Sequence, residues 1–327
     1  MFQFVARRVV GWLAMTVAAT NVTYVLAGIF LDPRSNYRET RPVPSTERID
    51  QALHPYNLDP RVPLTERWWH WAKDVVLHFD WGRSPSGTSV NTAIGYRVGV
   101  SAQLVLLATV LMVFIGVGLG VYTASRQYQW QDRVLQGLSI LLYNVPTVVA
   151  ALALVFGAVR LNEWLGHRVL FVSDSSSPEV SGLLASVVDR LGHLVLPTIS
   201  LTVLGYVGYH LTQRSLLLDT MNADFVRTAR ATGLTRQQAV RRHALRASLI
   251  PTASSVAFTI PAIFTGAVLT ESIFGWHGMG EYFTLTITRN DVHGVTAVAA
   301  FGALMTAIGA ILADIATVFL DPRVRLR

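Results

Sequence analysis

The chain has no cysteine, which excludes disulfide frameworks, thiol nucleophiles and cysteine-held metal or iron–sulfur centres. Lysine is almost missing too: among 27 basic residues the only one is Lys73. A P-loop needs lysine directly after glycine, and Lys73 follows Ala72. This polypeptide therefore carries no Walker A loop. Charged residues are only 14% of the 327 and hydrophobic ones 51%, too little charge for a soluble globule. No HExxH or GxSxG occurs, and the nine histidines show no ligand spacing, which argues against a membrane-embedded enzyme or a metal centre. No short-period repeat and no inverted copy is visible, which weakens an inverted-repeat carrier.

What is present is an all-α pattern of six apolar runs, at 9–30, 101–124, 134–159, 191–216, 249–270 and 294–320. Each is long enough for a ~30 Å hydrocarbon layer. The fourth is the least regular, because His210, Gln213 and Arg214 carry its end into polar territory. The first follows Arg7 and Arg8 without a small-x-small cleavage site, and is expected to stay as an anchor. The net charge of +7 comes from arginines beside the runs, which fits an anionic lipid face and not nucleic acid. With both termini inside, the N-terminal segment, the tail, the short inner loops and the end of the fourth run hold fourteen Lys/Arg, seven of them from Arg214 to Arg246. The short outer loops hold four. That asymmetry puts both termini in the cytoplasm.

Between the fourth and fifth runs lies the polar, arginine-rich segment 218–251, LDTMNADFVRTARATGLTRQQAVRRHALRASLIP. Asn222 is placed to cap a short helix with Asp224 in its first turn. Gly233 suits the positive φ that ends such a helix. Thr235 with Gln238 forms a capping box for a second helix, expected to run to Pro251. The wording DFVRTARATGL, then HALR and IP, resembles the cytoplasmic "EAA" loop of ABC importer permeases, closest to the B-type component of the oligopeptide/dipeptide (peptide/nickel) uptake family. The places of the general motif's acid and alanines are held here by Arg227, Thr228 and Ala229, with Gly233 kept, as the peptide branch shows.

The resemblance implies a type I ABC importer permease fold. It divides the chain into a first segment 1–30, an extracytoplasmic region 31–100, a five-helix core 101–320 with a coupling loop at 218–250, and a cytoplasmic tail 321–327, with Leu-Asp-Pro-Arg at 320–323 across the last boundary. It also implies a bacterial inner membrane location. The expected partners are a second homologous permease, two ATP-binding subunits and an extracytoplasmic solute-binding protein. ATP and Mg would sit in those partner subunits, with no cofactor on this chain and no catalysis by it. In that scheme Asp224, Arg227 and Arg230 set the docking electrostatics, Ala229 and Gly233 permit close approach, and Phe225 and Leu234 are apolar anchors.

Elsewhere the expectations are more local. In 31–100 the first half, rich in proline, is expected to be irregular. The stretch TERWWHWAKDVVLHFDWG is expected to be a helix capped by Thr65 that lies at the headgroups or meets an external partner. The outer segment 271–293 has Gly275, Gly278 and Gly280 among Phe274, Trp276 and Met279, a pattern for a re-entrant turn, which the family resemblance places near the translocation path. Pro146 and Pro261 are candidate hinges. Gly116, Gly118 and Gly120 permit close helix packing. Asp314, an acid inside the sixth run, is expected to pair with an arginine of the inner loop or tail. The alternatives are an ion-coupled secondary transporter using Asp314, or a nickel-type importer.

Overall fold

The computed structural model describes the backbone of residues 2–38, 40–178 and 180–320, and the side chains within these except at 2–6, 258, 260–266 and 316–320. The tail 321–327 lies outside the described residues, and so does the side chain of Pro261. Apart from one isolated bridge between Arg83 and Ser89, no strand pairing occurs among the described residues. Thirteen α-helices account for the regular structure there.

Helix α1 (Phe2–Phe30) leads to an outer layer formed by α2 (Thr46–Leu53) and α3 (Leu64–His78). The core then runs through α4 (Val90–Ser125), α5 (Trp130–Tyr143), α6 (Thr147–Leu165) and α7 (Leu183–Met221). Two short helices follow, α8 (Asp224–Ala231) and α9 (Arg236–Ala239). The chain ends with α10 (Leu245–Gly266), α11 (Val268–Phe274), α12 (Met279–Thr288) and α13 (Val292–Leu320). Five of these, α1, α4, α6, α7 and α13, are long and apolar enough over their described residues to cross a membrane.

Helices α4 and α7 are the structural spine. At 36 and 39 residues they span about 54 and 58 Å, well beyond a ~30 Å hydrocarbon layer. They run parallel and close, because Gly116 sits on the backbone of Tyr206 and Gly120 on that of His210, where a Cβ would collide with the carbonyl oxygens. Gly118 faces open space and takes no part in this packing. Small residues at one-turn spacing let backbones meet where lipid supplies no hydrophobic force between helices.

Several expected boundaries move. The run 134–159 is not one kinked helix: α5 stops at Tyr143, Asn144 caps it, and Pro146 (φ −58°, ψ 138°) precedes the first turn of α6. Proline disfavours helical geometry in the residue before it, so Pro146 marks a break between helices. Pro251 ends nothing, since it lies inside α10. The ladder slips by one residue in a π turn over Val240–Ala244, with Leu245 N–H bonded to the Val240 carbonyl, before α10 continues. The run 249–270 is interrupted at Ala267, between α10 and α11. Asn222 closes α7 and does not open α8, whose N-cap is Ala223. Thr65 lies within α3, whose N-cap is Pro63.

The proline-rich half of 31–100 is folded. A 3-10 turn at Pro33–Tyr37 and helix α2 pack over buried Ile49, Leu53 and Leu58. Arg34 grips buried Asp50 with two bonds of 2.7 and 2.9 Å, and Arg61 binds Asp59 at 2.8 Å. The Arg61 guanidinium holds the Asp59 carboxyl well below the usual carboxylate range. Helix α3 does not simply rest on headgroups. Its buried Trp71 stacks on Tyr24 of α1 at 4.5 Å, and Trp68 donates to Asn21 at 2.7 Å, while Trp69 stays exposed. The layer is fastened to the start of α13: Asn36 donates to the Arg289 carbonyl, Asn290 to Ser35, and His293 Nδ1 meets the Arg83 carbonyl at 2.9 Å.

Candidate functional site

At one end of the bundle, α8 and α9 form an elbow beneath α4 and α7. The capping box is complete, with Thr235 accepting from the Gln238 amide and the Gln238 side chain accepting from the Thr235 amide. Gly233 has φ +98° and open space where a Cβ would point, so the turn needs glycine for its backbone conformation and not for close packing. The elbow's amphipathic side is narrow. Val226 is buried in a cluster with Leu217, Ala124, Ala239 and Ala244, and Ala229 and Leu234 lean on that same cluster. Leu234 is therefore committed to the chain's own packing, not offered outward as an anchor. Asp224, Phe225, Arg227 and Arg230 are exposed.

Directly above the elbow, α7 carries a ladder of buried polar groups. Arg214 makes two bonds to Asp132 of α5, at 2.7 and 2.8 Å. Gln213 donates to Ser248 of α10 at 2.9 Å and accepts from Thr252 at 2.6 Å. His210 lies 3.0 Å from Thr123 of α4 through Nε2 and 2.7 Å from Ser139 of α5 through Nδ1. Thr123 already donates to the Leu119 carbonyl, so it accepts from Nε2–H, and Nδ1 accepts from Ser139.

At the other end, α11 and α12 form a turn inserted beside α4. Gly275 is left-handed (φ +57°) and ends α11; Gly278 precedes α12. Buried Glu271 organises it. One oxygen accepts from Ser101 of α4 at 2.5 Å, and the other accepts from the amides of Gly280 and Glu281 at 2.8 and 3.2 Å. Ser101 in turn accepts from the Met279 amide at 2.7 Å. A carboxylate on the free amides of a helix start satisfies both. Ser101 is eleven residues into α4, about 16 Å from its first residue, so the turn penetrates the bundle. Phe274, Trp276 and Met279 are buried in it, and Trp276 donates to the Val100 carbonyl at 3.0 Å. A Cβ at Gly280 would meet the backbone of Val268.

Between these ends a cavity of about 530 Å³ opens along α7 and α10. Ser200, Leu204, Tyr209, Thr212, Thr252 and Ser255 line it, and none of its described lining residues is charged. Ser200 Oγ is buried with no hydrogen-bond partner among the described residues, and Tyr209 bonds to Thr259 across the two helices.

Residues 116–326 match the family model described as binding-protein-dependent transport system inner membrane component. The chain is 36% identical, over the full length of both, to an oligopeptide transport system permease protein of Mycobacterium tuberculosis strain H37Rv. It is 28% identical to a dipeptide transport system permease protein of Bacillus subtilis, covering 100% of this chain and 99% of that one. To the dipeptide permease of Escherichia coli K12 it is 26% identical, over 99% of each. The chain belongs to the binding-protein-dependent inner membrane transport components.

As such a transport component, it is a multi-pass protein of the inner membrane and a subunit of a larger system. The structure joins Asp224, Phe225, Arg227, Ala229, Arg230, Gly233 and Leu234 in one elbow, and Phe274, Trp276, Gly278, Met279 and Gly280 in one turn at the opposite end. Asp314 is paired, but with Arg8 of α1 at 3.4 Å and not with the inner loop. Sequence reasoning missed Glu271, which stands at the junction of an apolar run and an outer segment and was assigned to the loop. Its signal was an acid on a helix leading into a glycine-rich turn and a new helix start. The Asp132–Arg214 pair was missed because its partners are 82 residues apart.

Proposed function

We propose that this chain forms one half of the path by which a binding-protein-dependent importer moves peptides across the inner membrane. The full-length likeness to oligopeptide and dipeptide permeases supports the peptide cargo. In this reading α10 is the sixth span, α5 and α6 act together as one, and both termini are cytoplasmic. Arg8 of α1 and Asp314 of α13 meet at one end, as a shared side for the two termini requires. The elbow docks in a groove of an ATP-hydrolysing subunit. ATP and Mg are held by two such subunits, a second homologous permease completes the path, and a solute-binding protein delivers cargo to the outer layer. The chain itself catalyses nothing and binds no cofactor.

The observation that carries this reading is the exposure of Asp224, Phe225, Arg227 and Arg230 on a helix held from behind by Val226. A basic, amphipathic elbow whose outward side chains Asp224, Phe225, Arg227 and Arg230 stay exposed is built to be gripped by another protein. The cavity beside Tyr209 supplies an uncharged wall for cargo of varied side chains. Phe225→Asp should abolish ATP-driven uptake of a labelled tripeptide and the stimulation of ATP hydrolysis, while membrane insertion persists. Uptake at the unaltered rate would remove the elbow from the coupling mechanism.

A further inference from the structure

A push on α8 is passed by Val226 to a cluster that holds Leu217 of α7 and Ala124 of α4 but no buried residue of α5 or α6. Apolar contacts in lipid let helices slide, whereas hydrogen bonds with fixed partners hold register. The link from α7 to α5 is of the second kind. Asp132 takes both bonds of the Arg214 guanidinium, with only 2% of its side chain exposed. It also accepts from the Tyr128 amide at 3.0 Å, pinning a turn in which Tyr128 adopts φ +67°. About one helical turn along α7, His210 bonds to Ser139 of the same helix α5. A half-buried guanidinium facing a buried carboxylate is unfavourable for either partner alone, so the two stay together.

We propose that Asp132 is a positioning residue for transport: through Arg214 it ties α5, and with it the outward-running α6, to the helix that the elbow drives. This rests on the elbow reading above. Leu217, Arg214, Gln213 and His210 lie within two turns of α7, so the same short strut receives the push and distributes it to α4, α5 and α10. The break at Asn144 to Pro146 is then where α6 can change angle while α5 stays with α7.

The test uses the complete transporter, with its ATPase subunits and binding protein, in proteoliposomes. In Asp132→Asn, tripeptide imported per ATP hydrolysed should fall about five- to thirtyfold while hydrolysis continues; Asp132→Glu, which keeps the carboxylate, should recover most of it. An unchanged ratio, or equal losses of uptake and hydrolysis, overturns the proposal. Should Asp132→Asn not assemble, the native pairing is tested directly. The chain has no cysteine, so Val134→Cys in α5 and Ser215→Cys in α7, both exposed positions, accept spin labels alone. Their separation should be the same in nucleotide-free and ATP-trapped complexes, and a shift of several ångströms overturns the tie. Unsubstituted complexes that hydrolyse ATP but import no tripeptide would count against the peptide reading alone, because the spin-label pair needs no cargo.

Discussion

The two ends of the bundle are built on opposite principles. At the end of the bundle opposite the elbow the glycine turn is closed on itself: Glu271 and Ser101 answer the amides of α12, and Phe274, Trp276 and Met279 fill the space behind them. At the elbow Val226, with Ala229 and Leu234 beside it, does the anchoring, and Asp224, Phe225, Arg227 and Arg230 are left exposed. A region whose polar groups are all satisfied internally holds its own shape. A region held by a few apolar contacts and edged with exposed arginines has less of its shape fixed from within. The middle of the spine, with its buried ladder on α7, links the self-sufficient end to the dependent one.

The sharpest way to break this contrast is at Glu271. Glu271→Ala leaves Ser101 and the amides of Gly280 and Glu281 buried without an acceptor, and should cost about 3–5 kcal/mol, seen as poor recovery and a lower melting temperature in detergent. A loss no larger than that of an exposed elbow substitution would show that the outer turn is not self-supporting. A smaller effect is expected in the spine. Gly116→Val drives a side chain against the Tyr206 carbonyl and should cost about 1–3 kcal/mol. The same change at Gly118, which faces open space, should leave the melting temperature within about 0.5 kcal/mol equivalent of the original.

The smallest effect concerns the outer layer. Because Arg61 lowers the folded-state Asp59 pKa below its ordinary 3.8, this carboxylate contributes stability that is complete above that value and lost as pH falls toward the folded one. Limited proteolysis of 31–78 should therefore be unchanged from neutral pH down to about 5 and quicken only in stronger acid. In Asp59→Asn that acid step should be reduced.

Much of the elbow was legible because its signals are local. The Thr235–Gln238 capping box and the positive φ of Gly233 are written within a few residues of each other, and both appear as expected. The glycines at Gly275, Gly278 and Gly280 marked a turn, and a turn is there. Caps shared between neighbouring elements were harder. Asn222 suits the start of α8 and the end of α7 equally, and only the path of the backbone decides that it closes α7. Prolines were ambiguous for the same reason: Pro146 separates two helices while Pro251 sits inside α10.

By itself, the sequence determined that this is an arginine-edged membrane protein without a Walker A loop, because composition, the place of Lys73 and the apolar runs are properties of the chain as a string. Only the tertiary structure decided which polar residues support one another. Glu271 with Ser101, Asp132 with Arg214, and Arg8 with Asp314 are pairs separated by 82 to 306 residues. A charge or polar group withdrawn from water is stable only beside its partner, and no local pattern announces a partner brought near by packing.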